Sequence, residues 1–355
     1  MTRPATTRIA FLDGLRGVAV MCVVATHVLS GALTTMSPTA GAVAFDGYVG
    51  VQIFFVISGF AIAHSLSRAR ISTRASGVFL LRRICRLDPP YWASIVVVYA
   101  VALLADAVLR RTTVVFPSPL AILVHVCYLQ NILGVRPIQD VYWSLCYEIQ
   151  FYILLVILLG IKERLAAIWD EAWAFLIVFS PLLIYSVLVS TGIAPAPGGS
   201  CFGEWYSFFA GVALQRVVAR GDWRMFGVAM AAAIIVGARS LTGATTVLAA
   251  GAIALAYVLD KLQVWLAGPT WQFLGRISYS LYLTHVPFGG TARNLFARAA
   301  GPRPVAQVLA ACLAVGAAIG FAAVFWRVIE APSLALSQWV SRRARPAIGH
   351  DRATR

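Results

Sequence analysis

Asp13-Gly-Leu-Arg16-Gly-Val-Ala-Val-Met-Cys-Val-Val-Ala-Thr-His27 sets an arginine at the start of an apolar segment and a histidine near its middle. In a helix, eleven steps of about 100° return to within roughly 20° of the starting direction, so Arg16 and His27 share a face, about 16 Å apart along the axis. One charge then sits at a membrane surface and one titratable ring lies deep. An imidazole inside a spanning helix marks either a functional site or a hydrogen bond that packs one helix on its neighbour.

The rest of the chain makes a membrane the only consistent solvent. With 355 residues, 60% apolar and 12% charged, and a mean hydropathy of +0.81, there is too little polar surface to cover a soluble globule of this size. The net charge of +15 does not point to nucleic acid, because the 29 basic residues fall mostly in short segments between apolar runs. Cys22, Cys85, Cys127, Cys146, Cys201 and Cys312 form no C-x-x-C and no metal-ligand spacing with the five histidines, so neither a disulfide framework nor a metal site is expected. Arg3 and Arg8 precede the first apolar run as in a signal peptide, but no convincing cleavage site follows, and the run reads as a retained first helix.

Apolar windows of spanning length predict an all-α, polytopic transmembrane bundle of about ten crossings, near 17–35, 48–66, 91–109, 142–160, 172–190, 204–217, 225–239, 241–259, 271–289 and 305–329. With the amino terminus inside, the interior collects Arg3, Arg8, Arg16, six arginines from Arg68 to Arg86, Lys162, Arg164, Arg216, Arg220, Arg224, Lys261 and five arginines after Ser341. The exterior collects Arg110, Arg111, Arg136, Arg239, Arg293, Arg298 and Arg303. Twenty against seven predicts an inner, plasma-membrane protein with both termini cytoplasmic. Pro119 to Gly134 is too short to cross and is expected to be a re-entrant or interfacial helix on the outer side. The expected organisation is one membrane domain, 1–340, and a basic cytoplasmic tail, 341–355.

Three charged constellations carry the candidate chemistry. The predicted cytoplasmic loop Ser67 to Pro90 holds Arg82, Arg83 and Arg86 on about one helical turn, with Arg68, Arg70 and Arg74 adding to the field. Such a cluster is either a bidentate fork for phosphate or a patch that orients the loop and touches anionic lipid. Val141-Tyr-Trp143-Ser-Leu-Cys-Tyr-Glu148 puts a carboxylate about two turns into the fourth span. Glu148 lies at about the depth of His27, so a Glu–His contact would satisfy both, as a site or as packing alone. Ser278-Tyr279-Ser-Leu-Tyr282-Leu-Thr-His285 brings a further histidine toward the outer side.

Together these stretches resemble the integral-membrane acyltransferase family 3, membrane O-acyltransferases acting on hydroxyls of glycans, lipids and glycosylated metabolites. The resemblance spans 8–332. It rests on Phe11-Leu-Asp13-Gly-Leu-Arg16-Gly with His27 after ten intervening residues, Phe54-Phe55-Val-Ile-Ser58-Gly59-Phe60, Arg82-Arg83-x-x-Arg86-Leu-x-Pro89, Trp143-Ser144-Leu-x-x-Glu148, Ser278-Tyr279-x-x-Tyr282-Leu-x-His285 and Glu330-x-Pro332. Gln52 departs from it, since the family commonly has Asp before the Phe-Phe pair.

The resemblance implies acyl transfer from a cytoplasmic acyl-CoA, acetyl-CoA being the expected donor, to a hydroxyl of a carbohydrate, glycolipid or glycosylated metabolite. Arg82, Arg83 and Arg86 would hold the coenzyme phosphates and Arg16 the entrance. His27 would be general base, because an imidazole's ordinary pKa near 6.5 leaves it neutral in an apolar interior. Glu148 would orient it. Ser278, Tyr279, His285 and Trp143 would serve the acceptor or an oxyanion. An acyl-His27 intermediate is equally compatible. A proton-coupled transporter or flippase is the alternative from another class, and a catalytically dead scaffold a third.

Overall fold

A computed structural model describes residues 8–37, 39, 48–67, 73–109 and 114–349. Every regular element among them is helical. The helices are α1 Ala10–Thr34, α2 Tyr48–Leu66, α3 Thr73–Leu109, α4 Pro119–Val126, α5 Trp143–Leu165, α6 Glu171–Ser190, α7 Trp205–Arg220, α8 Arg224–Gly237, α9 Leu241–Val258, α10 Pro269–Arg276, α11 Ser278–Thr284, α12 Thr291–Ala300, α13 Pro304–Phe325 and α14 Ala331–Gly349. Local chemistry sets many of their ends. Ser118, Asp170 and Ser240 cap α4, α6 and α9 through their side-chain oxygens, and Gly221 ends α7 at φ +69°.

Seven helices among the described residues are long and apolar enough to cross a membrane: α1, α2, α3, α5, α6, α9 and the α13–α14 run. The expected count of about ten is therefore not reached by length. The segments expected at 204–217, 225–239 and 271–289 are helical, but α7 has 16 residues, α8 has 14, and the last is broken at Ile277 and again by a π-turn at His285–Gly290. The loop expected from Ser67 to Pro90 is also corrected. Arg68 and Arg70 lie outside the described residues, and from Thr73 the chain is one 37-residue helix that runs through Pro89 and Pro90. The helix persists across the prolines because α5, α11 and α14 pack along it. Similarly, α14 carries helix past the expected boundary at 340, to Gly349; the remaining tail lies outside the described residues. Pro119–Val126 is a short capped helix, as its length requires.

Directions follow from side-chain pairs. Gly50 of α2 faces Ala19 and Val23 of α1, while Arg16 shares a cavity with Phe54, Phe55 and Ser58, so α1 and α2 are antiparallel. Gln52 meets Glu204 and Ser207, Gly59 meets Phe208, and Ser67 meets Gln215, so α2 and α7 are parallel.

The α2–α7 contact depends on missing side chains. A Cβ on Gly59 would stand 1.9 Å from the Phe208 carbonyl oxygen, and one on Gly211 would stand 2.0 Å from the Val56 carbonyl oxygen. Small residues let two backbones approach where lipid supplies no hydrophobic drive. Gly59→Ala is expected to force these helices apart and destabilise the protein by about 1–3 kcal/mol, the cost of overpacking. A thermal unfolding curve in detergent coincident with the unaltered protein would refute that.

Candidate functional site

A cavity lies between α1, α2, α3, α5 and α11. Arg16 reaches it from α1, Arg83 and Arg86 from α3, and Glu148 from α5. Three guanidinium groups and one carboxylate leave an excess of two positive charges in a site otherwise walled by aromatic and aliphatic side chains. That balance suits a multiply charged anion.

Glu148 is held in place by neighbours on two helices. Its Oε1 accepts from Ser58 Oγ at 2.8 Å and from the Tyr152 hydroxyl one turn along α5. The Tyr152 ring in turn lies 5.3 Å from the Arg83 guanidinium carbon, and Phe79 flanks the same group at 5.5 Å. Arg16 is less satisfied: its buried Nε makes no hydrogen bond. A buried donor without a partner costs free energy, which an anionic ligand would recover.

On the α11 side, Tyr279 donates to the Leu87 carbonyl at 2.9 Å and Ser278 to the Gly275 carbonyl at 2.9 Å. Tyr282 donates to the Val141 carbonyl at 2.7 Å, and its hydroxyl lies 2.6 Å from Ser144 Oγ. Glu330 fixes this short helix, accepting from the backbone N–H and the hydroxyl of Ser280. Tyr282 closes the cavity on one side and stands beside His285 on the other, with ring centroids 6.0 Å apart.

His285 and His27 form a pair beyond that tyrosine. His285 Nε2 is 3.3 Å from His27 Nδ1, and the rings meet edge to face at 5.1 Å. His285 Nδ1 lies 2.8 Å from the Tyr282 carbonyl and 3.1 Å from that of Leu281. Two carbonyls can only accept, so this nitrogen carries the proton and Nε2 carries the lone pair. His27 Nδ1 lies 2.9 Å from the Val23 carbonyl and 3.3 Å from His285 Nε2, two acceptors that favour the tautomer with the proton on Nδ1 and the lone pair on Nε2. Both residues sit on π-turns, Ala25–Leu29 and His285–Gly290, a local irregularity frequent at functional sites.

The expected His27–Glu148 contact is therefore corrected: the ring partner is His285, and Glu148 is committed to Ser58, Tyr152 and the arginine cavity. His27, expected to be buried, is exposed, whereas His285 is fully buried. Of the expected arginine trio, Arg83 and Arg86 line the cavity and Arg82 does not. Arg82 lies at the edge of that helical face, its carbonyl taking a hydrogen bond from Ser337 of α14. Arg16 completes the trio. Ser278 and Tyr279 line the cavity, while Trp143 packs edge-on against Phe55 and Tyr147 behind it. Ser58, Ser144, Tyr152 and Tyr282 line it too. Ser58, Ser144 and Tyr282 stand in the quoted stretches and Tyr152 one turn beyond Glu148, but residue spacing gives no sign of their partners. Among the described residues, no three His, Cys, Asp or Glu groups converge as metal ligands.

A family model described as an acyltransferase domain matches residues 9–327. The chain is 29% identical over 210 residues to the peptidoglycan O-acetyltransferase OatA of Listeria monocytogenes, covering 55% of this chain and 29% of that protein. Over 318 residues it is 28% identical to a protein of Komagataeibacter xylinus named as membrane-bound transacylase BcsY, covering 78% and 72%. It is also 31% identical over 121 residues to protein 2 in the picA locus of Rhizobium radiobacter, covering 34% and 56%. The chain thus spans under a third of the first relative and just over half of the last. No solved structure matches it.

Proposed function

The chain belongs to this acyltransferase family, and from that premise we propose that it moves an acyl group, acetyl in the first instance, from acyl-CoA on the cytoplasmic side to a hydroxyl of a carbohydrate or glycosylated acceptor. The observation that carries the proposal is the cavity that collects Arg16, Arg83 and Arg86 at one end of the bundle and closes on the Tyr282–His285–His27 series. The arginines hold the coenzyme phosphates. Arg16 stands roughly 16 Å before His27 on the same helix, a reach that suits an extended pantetheine arm.

In this reading His27 Nε2 removes the proton from the acceptor hydroxyl as its oxygen attacks the thioester carbonyl. The carbon–sulfur bond breaks, and the departing thiolate takes up the proton that His27 removed, which restores the neutral ring. His285 Nε2, accepting from His27 Nδ1, fixes the ring and stabilises the imidazolium, the part first assigned to Glu148. Glu148 instead spaces the three guanidinium groups. Both termini lie in the cytoplasm of a plasma-membrane protein on the charge distribution, which matches the donor side.

Purified protein with radiolabelled acetyl-CoA and an oligosaccharide mixture should release free coenzyme faster than protein without acceptor. Absence of thiol release with acetyl- and longer acyl-CoA alike would sink the reading. Within it, Glu148→Gln is expected to raise the thioester KM roughly tenfold to a hundredfold, the worth of about 1.5–3 kcal/mol for hydrogen bonds to a charged group, with less effect on kcat. A kcat loss at unchanged KM would return Glu148 to the histidines.

A further inference from the structure

A second cavity opens at the end of the bundle toward which the His27 half of α1 points, since α1 and α2 are antiparallel and this cavity lies beside the first turn of α2. Its walls are Glu204, Tyr206, Ser190, Ser240 and Thr242, from the ends of α6, α7 and α9. In a chain of this apolarity, five oxygen-bearing side chains around one opening form an isolated polar site.

Its carboxylate is pre-set. Gln52 Nε2 donates to Glu204 Oε2 at 2.6 Å, Ser207 donates to the side-chain Oε1 of Gln52, and Ser207 and Thr246 hydroxyls lie 2.6 Å apart. Glu204 Oε1 has no hydrogen bond among the described residues. Tyr206 is 1% exposed, and its hydroxyl lies among those of Thr242, Ser207 and Thr246 without a hydrogen bond of good geometry to any of them. A buried hydroxyl left in this way is open to a hydrogen bond from a ligand.

Rotation about α2 gives the position of the site. Gly50 faces α1 and Gln52 faces Glu204, and two residues along a helix differ by about 200°, so the cavity lies across α2 from α1, about one helix diameter, roughly 10 Å, from the helix that carries His27. That offset is too large for the acylated hydroxyl itself and suits another unit of the same polymer. A compact cation would find a single carboxylate here, whereas sugar hydroxyls can donate to Glu204 and both donate to and accept from Tyr206 and Thr242.

We infer that this cavity is a subsite for a neutral sugar unit neighbouring the acylated one in a polymeric acceptor, with Glu204 and Tyr206 as its binding residues. The inference rests on the acceptor being a glycan. The test uses the full chain in detergent with chitotetraose and with N-acetylglucosamine, without any donor, read by calorimetry. The tetrasaccharide should bind the unaltered protein, and Glu204→Gln and Tyr206→Phe should each weaken it by about tenfold or more, while binding of the monosaccharide stays within twofold. Tyr206→Phe removes a single oxygen and guards against misfolding of the Glu204 variant. No binding of the tetrasaccharide by the unaltered protein, equal weakening of both sugars, or no weakening of either would overturn the inference. Donor thioesterase turnover, measured separately, decides the enzymatic reading, so the two failures are distinct.

Discussion

His27→Ala is expected to lower acyl transfer by about 10²–10⁴-fold, the contribution of a positioned general base, with the protein still present in the membrane and its unfolding temperature little changed. The ring is exposed, so its removal leaves no packed cavity, and its hydrogen bonds run to Val23 within its own helix and to His285. His285 is different. It is buried against two carbonyls, so His285→Ala should cost both stability and rate, while His285→Gln, able to accept from His27 through its amide oxygen, should recover part of the rate. Near-normal turnover of His27→Ala would remove it from the mechanism.

The single-helix part of this site was legible and the between-helix part was not. Arg16 and His27 stand out because both interrupt one apolar run, and their spacing can be counted along one helix. Glu148 stands out as a carboxylate within an apolar span. Pairing Glu148 with His27, however, rested on equal depths counted along two straight helices. The π-turn at Ala25–Leu29 breaks the assumption of 100° per step just where His27 sits, and a second at His285–Gly290 turns the other histidine toward it. Arg16 stands with Arg83 and Arg86 in one cavity because α1 and α3 meet through contacts that spacing does not encode. The helix through Pro89 and Pro90 has the same cause: two prolines and a run of arginines look like a break, and packing against α14 overrides them. The short spans carry a weaker signal, since α8 with 14 residues is apolar without being long.

The arginine cavity gives the second large effect, and here charge and geometry can be separated. Replacing Arg83 and Arg86 together by Lys preserves the positive charge and any attraction to anionic lipid, but it removes the planar fork that pairs two N–H groups with two phosphate oxygens. It also removes the stacking of Arg83 between Phe79 and Tyr152, which lie 5.5 and 5.3 Å from its guanidinium carbon. Loss of two charge-assisted bidentate contacts, at about 1.5–3 kcal/mol each, predicts a thioester KM raised roughly a hundredfold or more. Arg82→Lys is the internal control. Its neighbour α14 holds its carbonyl and it does not line the cavity, so its KM should stay within a few-fold. The decisive comparison is a truncated thioester that lacks the nucleotide phosphates. That donor does not use the fork, so its turnover should be weak in the unaltered protein and insensitive to the Arg83/Arg86 replacement. If full and truncated donors lose activity equally, the arginines support the packing of α3 on α5 and the phosphate site lies elsewhere. If only the full donor suffers, the unpaired Nε of Arg16 gains its explanation as the third arm of the same site.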